Sequence, residues 1–181
     1  MKNIGAQRGD GRGHPMVFWL LCGLAGLSAA QAQTGTIKGT VDAPSTGGPL
    51  NGAKVVVIER KSDKVVERKP VENGQYEIAM QPGSYEVFAC DSHLEYEPYS
   101  RDVTLKAGST QTKDFHLAKK TIKIPAKDEQ GKLLGPNVAV CLRHVESTCA
   151  AEITTGANGE IAIPGPETHF ELHERGERQC E

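Results

Sequence analysis

Displaced by 85 residues, the chain coincides with itself without a gap: Thr36-Ile37-Lys38 falls on Thr121-Ile122-Lys123, Asn73-Gly74 on Asn158-Gly159, and Tyr85-Glu86-Val87 on Phe170-Glu171-Leu172. The apolar positions between these anchors coincide as well, Val55 with Val140, Val57 with Leu142, Tyr76 with Ile161 and Ile78 with Ile163, so both copies must bury the same pattern of side chains. The second copy stops early. At the same offset, the segments 101–105 and 112–117 would fall beyond Glu181. A sheet without its closing strands carries unpaired backbone donors and acceptors along an edge, which has to be covered, twisted away or filled by a partner. The expectation is therefore an exposed or borrowed edge in the second copy, or a tail, 175–181, folded across it.

Within the first copy the apolar period is two. Ile37, Gly39 and Val41 alternate with Lys38 and Thr40; Tyr76, Ile78 and Met80 with Gln75, Glu77 and Ala79; Tyr85, Val87 and Ala89 with Glu86, Phe88 and Cys90. This is the pattern of strands with one face buried and the other mostly wet. Val55 to Ile58 is instead a continuous apolar run, which suits a central strand covered on both sides. The segment 64–69 and the inward pairs Val103/Leu105 and Phe115/Leu117 complete about seven strands, separated by turns such as Asn73-Gly74, Gln81-Pro82-Gly83 and Ala107-Gly108-Ser109. No segment has a helical period. The expected fold is all-β: tandem Greek-key β-sandwich units, the first of about seven strands and the second truncated to about five.

Residues 1–32 have the form of an address. Lys2, Arg8, Arg12 and His14 precede an apolar run from Met16 to Leu27, and Ala30-Gln31-Ala32 supplies the small residues for cleavage before Gln33, so this segment reads as a signal peptide. The run is shorter than the roughly 20 residues that span a bilayer as a helix, and no transmembrane segment is expected after cleavage. Cys22 follows Leu21 rather than a small residue, which argues against lipidation. The expected organisation is a signal peptide over 1–32, a β-sandwich over 33–118 and a truncated sandwich repeat with a tail over 119–181, in a periplasmic or secreted protein. Without Lys2, Arg8, Arg12 and Asp10, 18 basic residues stand against 22 acidic ones. Such a balance offers nothing to a phosphate backbone, so nucleic acid is not an expected partner.

The order Gly39-Thr40-Val41, Pro49-Leu50-Asn51-Gly52-Ala53-Lys54-Val55, Asn73-Gly74-Gln75-Tyr76 and Pro82-Gly83-Ser84-Tyr85 resembles the carboxypeptidase regulatory-like domain. The resemblance covers about 35–118, with a degenerate second copy at about 121–174. It implies a transthyretin-like Greek-key sandwich of the kind carried as an accessory module by secreted bacterial proteins. The motif residues read as structural: Ala53 for close strand packing, Asn73-Gly74 for a tight hairpin, Pro82-Gly83 to aim Tyr85 into the core. The zinc carboxypeptidase pattern is absent, because no His is followed three residues later by Glu, and the chain ends Arg178-Gln179-Cys180-Glu181 rather than in the Tyr-Arg-Gly-Ser of transthyretin-like hydrolases. Neither a Gly-x-Ser-x-Gly elbow nor a phosphate-binding glycine loop is present. No enzyme activity and no cofactor are expected.

Four cysteines follow the leader, Cys90, Cys141, Cys149 and Cys180, and in an oxidising compartment an even number reads as disulfides. Of three connectivities, Cys141 with Cys149 and Cys90 with Cys180 is preferred, the first across a hairpin turn at 144–147 and the second stapling the C-terminus to the first copy. Strict alternation, however, puts Cys141 outward and Cys149 with inward Ala151 and Ile153, so the first bridge needs a bulge.

One set of side chains has metal-ligand character. On a strand, His169, Glu171 and His173 share one face, two imidazoles and a carboxylate that suit zinc or copper, while Phe170 and Leu172 face the core. The polar face of any alternating strand looks the same. His93, His116 and His144 are isolated and read as surface or turn residues. An intramolecular crosslink of the kind found in pilin modules would join Lys38 to Asp114, but the assisting acid would fall at Ala89. In the second copy Lys123 and Glu174 lack an acceptor. The leading functional expectation is a non-catalytic binding or scaffolding module for a protein or cell-envelope partner, using an open edge. The alternatives are a periplasmic metal-binding protein using His169, Glu171 and His173, or a carbohydrate-binding module with Tyr96 and Tyr99 as exposed stacking rings.

Overall fold

The computed structural model describes residues 33–45, 47–166, 169–174 and 180. The signal-peptide assignment to 1–32 lies outside the described residues. Apart from a 3-10 turn that ends at His169, the regular elements among them are strands. In the first copy these are β1 (Gly35–Ala43), β2 (Gly48–Pro49), β3 (Lys54–Glu59), β4 (Lys64–Pro70), β5 (Gln75–Met80), β6 (Gly83–Cys90), β7 (Tyr99–Leu105), β8 (Thr110–Thr112) and β9 (Phe115–His116). In the second copy they are β10 (Thr121–Pro125), β11 (Ala139–His144), β12 (Ala150–Thr154), β13 (Glu160–Pro164) and β14 (Phe170–Glu174). The offset of 85 carries β3 onto β11 residue for residue, and β1, β4, β5 and β6 onto β10, β12, β13 and β14. The five-strand expectation for the second copy holds among the described residues.

Pairing follows the same correspondence. The first copy has a sheet ordered β4-β3-β6-β7 and a second sheet in which β1 takes β5 and β2 antiparallel and β8 and β9 parallel. The second copy repeats β4-β3-β6 as β12-β11-β14, and β1-β5 as β10-β13. Between the two sheets of the first copy lies a core that includes Ile37, Val41, Val55, Val57, Tyr76, Val87, Phe115 and Leu117.

The alternate residues of β3 and β6 are buried too. Val56, Ile58, Phe88 and Cys90 belong to a second core shared with Val140, Leu142, Cys149, Ala151, Ile161 and Ile163 of the second copy. Successive side chains on a strand point to opposite faces, so the run Val55 to Ile58 feeds both cores in turn. The wet face expected for β6 is therefore dry where the second copy lies on it, with Phe88 only 4 % exposed. Residues 32–181 accordingly form one compact unit. The outer-face counterparts of Val56, Ile58 and Phe88 in the second copy are Cys141, Arg143 and His173.

The β1–β5 pair shows why the copies close differently. Gly39 faces Tyr76 across the ladder, and a Cβ on Gly39 would sit 1.9 Å from the Lys113 carbonyl oxygen, so only glycine admits the chain as it passes from β8 to β9. The Tyr76 hydroxyl donates to that same carbonyl at 2.7 Å. Burial, with the Asp114 carboxylate adding to it, pushes the Tyr76 phenol above its usual range and keeps it a donor. In the second copy the facing pair is Ile124 and Ile161, both packed into the second core. Two branched side chains thus stand where the first copy has glycine and a tyrosine hydroxyl.

Two substitutions test this account by chemical denaturation. Phe88→Ala is expected to cost about 3–5 kcal/mol, as a buried aromatic should, where a residue on a wet face would cost well under about 1 kcal/mol. Tyr76→Phe, which leaves the Lys113 carbonyl without its donor, is expected to cost about 1–3 kcal/mol.

Candidate functional site

The three residues expected to share a metal-binding strand face are divided by the sheet. Phe170 and Leu172 of β14 stand opposite His144 and Leu142 of β11 and turn inward, whereas Glu171 and His173 stand opposite Arg143 and Cys141 on the outer face. His173 Nε2 lies 3.6 Å from a Glu171 carboxylate oxygen, beyond hydrogen-bonding distance, and has no hydrogen-bond partner among the described residues. His169 precedes β14, and the chain there leaves the strand geometry that would have kept it with Glu171 and His173.

His169 instead meets His144 and Glu146, one ligand-capable atom of each lying within 4.8 Å of the others. His144, read from the sequence as a surface or turn residue, is 3 % exposed. It ends β11 on the inward side, and the next residues form the turn to β12, which returns Glu146 towards the ring: His144 Nε2 is 3.2 Å from Glu146 Oε2. On the other side of the ring, Nδ1 accepts from the Ser147 backbone N–H at 3.2 Å and lies 2.9 Å from Ser147 Oγ. The imidazole is walled by Phe170 and Phe88, with ring centroids 5.1 and 6.2 Å away. Burial pushes His144 below the usual histidine range, Glu146 pulls it up and His169 pushes it down. The sequence signal for this group was the short His144-x-Glu146 spacing in a hairpin turn. It said nothing of His169, which arrives from another strand.

The disulfides connect Cys90 with Cys149 and Cys141 with Cys180, not Cys141 with Cys149 and Cys90 with Cys180. Parity is the reason. Cys90 and Cys149 both point into the second core, while Cys141 points outward beside His173 on the sheet's far face, so a bridge between Cys141 and Cys149 would have to pass through β11. Cys180 therefore closes onto the second copy itself, and the staple between copies is Cys90–Cys149, with Arg68 donating to Thr148 Oγ1 at 2.7 Å close by. Such bridges persist outside the reducing cytosol, which makes the chain extracytoplasmic.

Two further expectations meet the structure here. Tyr96 is buried in the first core, so of the two proposed stacking rings only Tyr99, 41 % exposed with Arg101 over its face, reaches solvent. Lys38 lies on the exposed face of β1, Asp114 Oδ1 accepts from the Thr40 N–H at 2.8 Å and from its hydroxyl at 3.0 Å, and Ala89 is buried at the acid position. That arrangement is a backbone cap, not a crosslinking site.

Edges complete the inventory. In the first copy β1 is paired along both sides, with Thr36 N–H donating to Ser109 and the Lys38 carbonyl accepting from Lys113, each at 2.8 Å. Its counterpart β10 pairs only with β13 among the described residues, so the matching groups of Thr121 and Lys123 face outward, and both residues are exposed. No helix among the described residues is long and apolar enough to cross a membrane.

These features define a β-sandwich module, with its second half built onto the back of the first. The family model of the carboxypeptidase regulatory-like domain matches residues 36–118. No protein of curated function matches the chain in sequence. Among solved structures, it is similar to the TIE protein of Bacillus anthracis at 14% identity and a TM-score of 0.42, over 72% of this chain and 26% of that one. It is also similar to a minor pilin of Streptococcus agalactiae at 17% identity and a TM-score of 0.41, over 52% and 49%. A DUF3823 family protein of Parabacteroides merdae is similar at 14% identity and a TM-score of 0.39, over 73% and 80%. The chain thus spans about a quarter of the first of these and about half of the second.

Peptide mapping without reduction is expected to yield fragments joined through Cys90–Cys149 and Cys141–Cys180. A fragment joined through Cys141–Cys149 would contradict the parity of β11. Replacing Cys90 and Cys149 together by Ala is expected to cost about 2–4 kcal/mol on denaturation.

Proposed function

We propose that the protein is a periplasmic or secreted binding module that holds an extended segment of a protein partner in the cell envelope by strand addition along β10. The observation that carries this reading is the one-sided pairing of β10 beside a first copy in which the same strand, β1, is paired on both sides. The internal repeat defines what such an edge accepts: β8 lies parallel to β1 over Thr36–Lys38, and the equivalent stretch of β10 is Thr121–Lys123. Main-chain hydrogen bonds then supply affinity and alternate side chains supply selectivity. The bound segment is extended and unkinked, because Ile124 stands where Gly39 makes room for the bend at Lys113 in the first copy. Exposed Lys123 and Pro125 on so short a strand discourage pairing of two identical edges, which favours a different chain as occupant. Nothing in this mode of binding requires a catalytic group.

The test places a photo-crosslinking residue at Thr121 in the full chain in cells and compares it with the same chain carrying Lys123→Pro. Proline removes an outward N–H and leaves the ladder to β13, a position where an edge strand tolerates it. A discrete adduct that falls at least about tenfold with Lys123→Pro, consistent with loss of main-chain bonding, supports strand addition. Equal adduct from both chains, or none from either, overturns it.

A further inference from the structure

We infer that His144, Glu146 and His169 form a binding site for a borderline divalent metal ion of the zinc type, at the end of the second copy where the β11–β12 turn meets the start of β14. Two imidazoles and one carboxylate are the ligand types that such an ion takes, with a fourth position left for water or for a group from another molecule. The geometry is close to what coordination needs. His144 Nε2 and the Glu146 carboxylate are already 3.2 Å apart, near the ligand-to-ligand spacing around a tetrahedral ion, and the ligand atoms of the three residues lie within 4.8 Å of one another. An inward shift of the outer ligands of about 1 Å completes the shell, given metal–ligand bonds of roughly 2.0–2.2 Å.

The surroundings are those of a held ligand. Metal-binding histidines are oriented by a hydrogen bond at the other ring nitrogen. Here Nδ1 of His144 is 2.9 Å from the hydroxyl of Ser147, a residue with no exposed surface. That hydroxyl also accepts from the Cys149 N–H at 3.2 Å, so it is fixed by the turn that carries the disulfide to the first copy. When an ion takes Nε2, the ring proton moves to Nδ1, where Ser147 Oγ at 2.9 Å can accept it, and the 3.2 Å bond that Nδ1 accepts from the Ser147 N–H is given up in exchange. Phe170 packs edge-on against the ring and restricts water on that side, while Glu146, half exposed, and His169, partly exposed, leave the mouth open to an incoming ion. The site ties the β11–β12 turn to the chain entering β14, two segments also joined by the bond from the Val145 N–H to the His169 carbonyl at 2.9 Å. It is independent of the β10 edge and of the reading built on it.

Isothermal titration of the metal-free full chain with zinc chloride is expected to show one ion bound per chain. His169→Ala and Glu146→Gln, both at side chains that are not part of the buried core, are each expected to weaken binding by about tenfold or more, and Glu171→Gln and His173→Ala to leave it unchanged. Zinc is also expected to raise the melting temperature of the wild-type chain and not that of His169→Ala. No binding at zinc concentrations of about 100 μM, well above the range of a specific protein site, overturns the inference. So does binding that survives His169→Ala and Glu146→Gln but is lost with Glu171→Gln or His173→Ala.

Discussion

The burial of β3 and β6 on both faces is the constraint on which the rest of the molecule depends. A lone sandwich would leave the apolar cluster Val56, Ile58, Phe88 and Cys90 in water. The second copy covers it. In doing so it gains the facing wall of a core that its own five strands could not enclose, since a set of about fifty residues buries too little surface to stand alone. The Cys90–Cys149 bridge and the Arg68–Thr148 hydrogen bond lie at this junction and hold the two copies in one register.

Repetition of the framework did not preserve its details, and the differences follow from position. The outer face of β3 and β6 is apolar because something lies on it, whereas the matching face of β11 and β14 carries Cys141, Arg143, Glu171 and His173. The facing pair Gly39 and Tyr76 admits and binds the chain between β8 and β9; Ile124 and Ile161, at the same places, pack against the second core instead. A strand edge that β8 and β9 close in one copy thus has no partner among the described residues of the other.

Histidine placement shows how sheet parity governs chemistry. His169, Glu171 and His173 alternate in sequence as though on one face, yet strand geometry begins at Phe170. His169 is therefore free to join His144 and Glu146 at the mouth of the second core, while the other two remain on the far side of the sheet. The same parity separates Cys141 from Cys149, although only a hairpin turn lies between their strands.

Local regularities are what the sequence by itself determined: the strand positions, the 85-residue correspondence that carries β3 onto β11, the two-sided burial implied by Val55 to Ile58, and the match of residues 36–118 to a family model. Each of these depends on the period of a strand or on turn chemistry, which neighbouring residues decide among themselves. Only the tertiary structure decided which copy covers the second face of β6, which cysteines meet, why Tyr96 is buried, and which histidines converge. Those outcomes depend on which face of one sheet is laid on which face of another. Alternation in a single strand distinguishes its two faces but does not name the surface that each will meet.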